Sequence, residues 1–279
     1  LVRALVEHAR SGGGDACRDE GEPGWVSAAS WAADFTDLLL PAGSISCGIW
    51  VPGGSAAPLV CARCRTRLKV AAWPRCERCH FPSGTGRTSD LQCRGCRDWS
   101  VALSAARYAY VLAPPADDLV HALKYEGWPE LAPLMASAMA SLSVPNEGGR
   151  ALVIPVPTTA KRLRTRGYNQ AGLVAESYAS TRALPLEELL VRAGADASQT
   201  SLHPSERRAN VAGAFSLAAG ASAVLEGTKV LLIDDVLTTG ATACEAAETL
   251  LETLLMSGPA RVTLIAYARA LPSDRFTAV

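Results

Sequence analysis

The chain has no surplus of charge, no long apolar run and few aromatic rings. Lys plus Arg and Asp plus Glu number 27 each, so the formal net charge is zero. That balance gives no whole-chain support for a polyanion-binding or membrane-surface protein. No apolar run approaches the roughly 20 residues that a spanning helix needs, so no membrane span is expected. Leu1 to Arg10 is short, and SGGG follows it without the flanks of a signal peptide. The expected location is therefore cytoplasmic. The chain opens on Leu and no Met precedes Met135, which leaves two readings: a start elsewhere, or a non-Met codon. The rest is ordinary for a globular protein, with 49% hydrophobic and 19% charged residues in 279. This length allows one large domain, or a medium one plus a small one.

Cysteine is the exception. Six of nine fall in C-x-x-C pairs: Cys61/Cys64, Cys76/Cys79 and Cys93/Cys96. Without an export signal, this spacing reads as metal thiolates rather than disulfides. Cys76, Cys79, Cys93 and Cys96 follow C-x2-C-x13-C-x2-C, a zinc-ribbon-like spacing. Aliphatic residues are sparse there, as in a module folded by its metal. Reduced thiols or a redox pair are the alternatives. Which pairs share a Zn²⁺ stays open. Cys47 stands alone, Cys17 is a bystander, and His80 is a spare ligand or a loop residue. Arg63, Arg65, Arg67, Lys69, Arg75, Arg78, Arg87, Arg94 and Arg97 make the region locally basic. Such a patch suits phosphate backbones, or merely keeps a small module soluble. Trp73, Phe81 and Trp99 are few rings for base stacking.

The central stretch is Lys229 to Thr242, KVLLIDDVLTTGAT. Val230 to Ile233 suits a buried parallel strand. Asp234 and Asp235 follow, then a turn of small and hydroxyl residues. From Ala241 onward, apolar residues recur at spacings of three and four, as in a helix. The acids thus lie at a strand's carboxyl end, where open α/β sheets bind ligands. Unpaired N–H groups at a helix start attract a phosphate, and Thr238, Thr239 and Thr242 add hydroxyls. Two carboxylates suit vicinal hydroxyls or hydrated Mg²⁺. Phosphate on one side and a diol on the other describe a ribose 5-phosphate.

Around it, 31–41 reads as a short helix stopped by Pro41. Arg107–Val111 alternates like a strand, Asp117–Lys124 and Glu130–Leu142 read as helices, and 151–157 is a second apolar strand. Lys124 either reaches a phosphate or caps its helix, with the cap favoured. Lys161, Arg162, Arg164 and Arg166 lie just beyond a strand end and suit a pyrophosphate or a solvated face equally. A helix over 171–183, short strands at 189–192 and 211–217, and a last strand at 261–268 complete the pattern. Gln199 to Asn210 reads as an active-site lid or a surface loop, and His203 as a loop residue. Alternating strands and helices over 105–270 predict a parallel α/β sheet.

The run Val230 to Thr242 resembles the phosphoribosyl-pyrophosphate (PRPP) loop of type I phosphoribosyltransferases. With HALKYEG (121–127), IPVPTTAKRLRTRGYNQA (154–171), QTSLHPSERRANVAGAFSL (199–217) and the Cys pairs, the chain resembles the ComF family from about residue 38 to 268. The resemblance implies a type I phosphoribosyltransferase-like parallel sheet flanked by helices, with a small N-terminal zinc-binding module. The implied division is an N-terminal extension over 1–37, a zinc module over 38–99, a transferase-like domain over 100–270 and a tail over 271–279. Asp234 and Asp235 would hold the ribose hydroxyls, directly or through Mg²⁺. Thr238, Thr239, Gly240, Ala241 and Thr242 would cradle the 5-phosphate. Pro157, Thr158 and Arg166 would lie near pyrophosphate, and Arg207, Arg208 and Asn210 on a flexible loop, with Arg208 catalytic. The family also implies a link to natural transformation, with single-stranded DNA or a competence helicase as partner. A non-catalytic PRPP sensor or DNA-binding module is the alternative to an enzyme. Two departures stand out. Ser44 lies three residues before Cys47, where relatives often open with C-x-x-C, so one zinc site is expected and a second is doubtful. Thr238 replaces the acid of purine-salvage relatives, which argues against a 6-oxopurine acceptor.

Overall fold

Four aliphatic runs pair side by side in parallel: β1 (Leu103–Val111), β2 (Ala151–Pro155), β5 (Lys229–Leu237) and β6 (Val262–Arg269). Their order is β1-β6-β5-β2. This computed structural model describes residues 43–51, 59–83, 93–145, 150–192, 213–225, 227–254 and 261–272. All eight residues of β6 are buried, as expected of a central parallel strand covered on both faces. Register places Ile233 between Pro155 and Ile265, and Asp234 beside Ala266. A short antiparallel pair, β3 (Leu190–Arg192) and β4 (Phe215–Leu217), stands apart.

Helices cover the faces. On one side lies α7 (Ala241–Leu254), whose Ala243, Ala246, Ala247 and Leu250 face the sheet. On the other lie α3 (Leu131–Ala140) and α5 (Gln170–Arg182), with Met135, Met139, Val174 and Tyr178 inward. The remaining helices are α1 (Ala62–Thr66), α2 (Ala116–His121), α4 (Ala160–Arg166) and α6 (Ala221–Leu225). A π-helical turn, Ala122–Glu126, follows α2.

Both sheet edges are covered. Ala106 N–H donates to Arg78 O and Val111 N–H to Lys69 O, so the cysteine segment runs along β1. At β2, Val153 N–H donates to Pro185 O. Paired edges offer no template for another chain. The cysteine segment also enters the core: Cys76, Cys79, Cys93, Cys96, Phe81 and Trp99 share one cluster with β1, β5, β6 and α7.

The parallel sheet follows the sequence pattern, with differences at element ends. β1 begins at Leu103 rather than Arg107, and β5 extends through both acids to Leu237. The expected helix over 31–41 and the 199–210 excursion lie outside the described residues.

Candidate functional site

β5 carries Asp234 and Asp235 into the strand itself, so adjacent acids leave the backbone in different directions. Asp235 is 3% exposed, and Lys124 Nζ lies 2.5 Å from its Oδ2. The π turn presents that ammonium to an acid, so the sequence reading of Lys124 as a helix cap is corrected. Asp234 keeps some exposure, and its Oδ1 accepts from Asp235 N–H at 2.9 Å. Burial, then the Asp235 charge, holds the Asp234 carboxyl well above the usual carboxylate range, while Lys124 pulls the other way. With Lys124 committed to Asp235, ionising Asp234 in this desolvated place calls for hydroxyl donors or a cation beside it.

The strand then turns. Thr238 is exposed, Thr239 Oγ1 accepts from Ala241 N–H at 3.4 Å, and α7 starts at Ala241. Gly240 has φ +87°, a left-handed conformation that favours glycine. A Cβ there would also meet Trp99 Nε1 at 2.5 Å. Alternating backbone signs at a helix start form a concave N–H nest that suits an anion. The expected strand–turn–helix is present, with Thr238 to Thr242 in the turn and first helical positions.

The β2 end flanks this loop. Val156 N–H donates to Ile233 O at 2.9 Å, so the turn holding Pro157 and Thr158 starts in register with the residue before Asp234. Thr159 caps α4 by accepting from Arg162 N–H. Lys161, Arg162 and Arg164 are exposed on α4. Arg166 turns inward, donates to Gln170 Oε1 at 2.9 Å and stacks over Tyr125, the neighbour of Lys124. Among the four cations, Arg166 is thus the one linked to the acid pair's surroundings. Arg207, Arg208 and Asn210 lie outside the described residues. At the described end of that excursion, Gly213 N–H donates to Glu245 on α7.

The cysteines form two groups. Cys76, Cys79, Cys93 and Cys96 are all buried with their sulfurs within 4.8 Å of one another. Cys76–Cys96 is 3.8 Å and Cys79–Cys93 3.6 Å. A tetrahedral Zn²⁺ with bonds of about 2.3 Å sets its sulfurs about 3.8 Å apart, so the four fit zinc. Hydrogen bonds from Cys79 and Cys96 lower the Cys76 thiol, while Cys76 pushes Cys79 up to about 12. Four buried sulfurs cannot all ionise without a cation. Cys47, Cys61 and Cys64 form the second group, with Cys47–Cys61 at 3.7 Å. The Cys64 amide, then Ser44, lowers the Cys61 thiol to about 7. Ser44 is buried, and its Oγ accepts from Cys61 N–H. Cys47 therefore has partners in space that its lone place in the sequence hid. His80 stands in neither group, and burial, then Arg107, lowers its ring to about 4.

Sequence reasoning missed the contact between the two regions. Trp99 Nε1–H donates to Thr239 O at 2.8 Å, and Arg269, 2% exposed, donates to Cys79 O and Gly95 O. An arginine closing an otherwise apolar strand was the available signal for Arg269.

No helix among the described residues is long and apolar enough to cross a membrane. No family model matches the chain. It is 28% identical over 240 residues to the DNA utilization protein YhgH of Escherichia coli O157:H7, covering 77% of this chain and 98% of that one. To the competence protein ComFC of Bacillus subtilis it is 28% identical over 213 residues, covering 74% and 83%. To the competence protein F of Haemophilus influenzae it is 36% identical over 99 residues, covering 35% and 43%. Among solved structures, a glutamine PRPP amidotransferase from B. subtilis, complexed with ADP and GMP, overlaps 52% of this chain and 26% of its own, at 19% identity and a TM-score of 0.31. TT1426 from Thermus thermophilus overlaps 54% and 85%, at 18% identity and a TM-score of 0.26. Relatives named as DNA utilization and competence proteins, matching at 28% identity over about three quarters of the chain, support its likeness to the ComF family.

Proposed function

We propose that the protein binds PRPP and transfers its phosphoribosyl group to a nitrogen acceptor. The observation that carries this reading is the half-buried Asp234 at the carboxyl end of β5, followed by the Thr238–Gly240 turn into α7. The turn's N–H groups and the Thr242 hydroxyl hold the 5-phosphate. Asp234 accepts from the ribose hydroxyls, while Asp235 is held beside it by Lys124. The sugar becomes cationic as its C1–O bond to pyrophosphate breaks, and carboxylates beside it stabilise that charge. The acceptor nitrogen forms the new bond to C1 and loses its proton, and pyrophosphate leaves with the electron pair. Mg²⁺, which the acid pair's surplus charge suits, would supply electrostatic stabilisation of the leaving pyrophosphate. Pro157, Thr158 and Arg166 flank the pyrophosphate, and Arg208 completes the site from the excursion after β3.

In this reading residues 38–99 serve as the zinc module and 100–270 as the transferase domain, and the activity serves DNA uptake. Three cations of the cysteine region are engaged by backbone carbonyls, Arg65 by Val60, Arg75 by Ala71, and Arg78 by Ser100 and Leu103. Arg63, Arg67 and Arg94 are exposed, which keeps a contact with nucleic-acid phosphates as the second reading.

Titration calorimetry with PRPP and Mg²⁺ tests the site. Wild type should bind and Asp234→Asn should not. A wild-type protein that gives no heat of binding refutes the reading.

A further inference from the structure

The proposed phosphate loop and the four-cysteine cluster share a wall. Trp99 lies three residues beyond Cys96, and its backbone N–H donates to Cys96 O at 3.0 Å. Its indole is 8% exposed and reaches Thr239 O. The space a Cβ on Gly240 would take is filled by three indole atoms within 2.9 Å. The loop backbone therefore lies closely against the Nε1 side of the indole.

This contact fixes more than one carbonyl. In a planar trans peptide the C=O and N–H point in opposite directions. Holding Thr239 C=O toward the indole turns the Gly240 N–H away from it. That N–H is one of the donors a 5-phosphate would meet. Trp99 thus sets the direction of a donor it does not carry.

Arg269 ties the same wall to the metal ligands. It ends β6, in register with Leu237 on β5. Ala270 N–H donates to Leu237 O just before the turn. The Arg269 guanidinium donates to Cys79 O at 2.6 Å and Gly95 O at 3.0 Å, one carbonyl from each cysteine knuckle. It lies over Phe81, Trp99 and Tyr108 at 5.0–5.6 Å from the ring centres. Gly95 has no room for a side chain, since a Cβ would meet Arg269 Nη2 and Phe81 at 2.7 Å. Gathering the four sulfurs on one metal would fix both knuckles, and with them these carbonyls.

We infer that Trp99 is a positioning residue for the phosphate loop, and that metal held by Cys76, Cys79, Cys93 and Cys96 orders that loop through Trp99 and Arg269. The inference rests on the PRPP reading for its ligand but not for its structural content.

Two measurements on the zinc-loaded full chain test it. The first is amide hydrogen exchange over 238–242, which needs no ligand. The second is PRPP–Mg²⁺ calorimetry. Trp99→Phe keeps the ring and removes the donor. It should retain the wild-type zinc content and circular dichroism, exchange faster at 239–241, and bind PRPP about fivefold more weakly, the usual worth of one hydrogen bond. Gentle chelation of wild type should speed the same exchange. If Trp99→Phe loses zinc or its fold, Arg269→Lys serves instead, since it keeps the charge and removes the fork that spans both knuckles. Exchange over 238–242 that matches wild type in a folded, zinc-loaded variant overturns the inference. Should wild type give no PRPP heat while exchange responds as stated, the PRPP reading falls and the coupling stands.

Discussion

Replacing Lys124 with Met should show how far the site depends on one ion pair. Asp235 has a side chain 4% exposed, and Lys124 one 20% exposed, with 2.5 Å between charges. Removing one partner of a fully buried pair costs about 3–5 kcal/mol, because a charge is left without compensation. Lys124 reaches partly into solvent, so water can replace some of its effect, and the expected cost falls to about 2–3 kcal/mol. With a urea dependence of about 2–3 kcal/mol per molar, the unfolding midpoint should drop by about 1 M. Urea unfolding of the zinc-loaded chain, followed by far-UV circular dichroism, reads this directly. The Lys124→Met/Asp235→Asn double variant should lose less than the two single losses added together, with a coupling of at least about 1 kcal/mol. A Lys124→Met midpoint equal to wild type, or strictly additive losses, would refute the reasoning that this lysine compensates a buried carboxylate.

Asp234→Asn should stabilise the fold near neutral pH while abolishing PRPP binding, a trade expected where a site holds strained charge. The sign follows from linkage. The folded-state carboxyl titrates above its unfolded value, so its ionisation destabilises the fold fully above the raised value and not at all below the unfolded one. The thermal gain of the variant should therefore shrink as pH is lowered toward the ordinary carboxylate range; a pH-independent gain would contradict it. Arg269→Met strips two carbonyls of their donor, at about 2–4 kcal/mol, and should lower Tm by roughly 5–10 °C in calorimetric scans. An unchanged Tm would mean that the guanidinium does not join the two regions.

The sheet was legible because buried parallel strands announce themselves as unbroken aliphatic runs, as in ALVIP and VTLIAYAR. The turn at Thr238–Gly240 was legible because small residues and a helical period meet there. The ends of the elements were not: Asp234 and Asp235 read as a stop, yet they stay in the strand because Lys124 offsets Asp235. That partner lies far away in sequence, and nothing local to either residue signals it. The same holds for Trp99 with Thr239, and for Cys47 with Cys61 and Cys64. The basic run over 161–166 divides as charge and helical geometry require: Lys161, Arg162 and Arg164 face water, while Arg166 turns toward Tyr125. Composition alone gave no means of choosing among them.

The cysteine segment's hold on the outer strand has a wider consequence. Residues 69–78 lace the rim of β1, and Arg107 and Arg269 spend their charge on carbonyls of the cysteine loops. Cutting the polypeptide near residue 100 would not release a smaller working unit. It would leave a raw rim inviting self-association and two stranded cations in an oily hollow. The cysteine segment and the sheet thus share one interior on this face of the molecule.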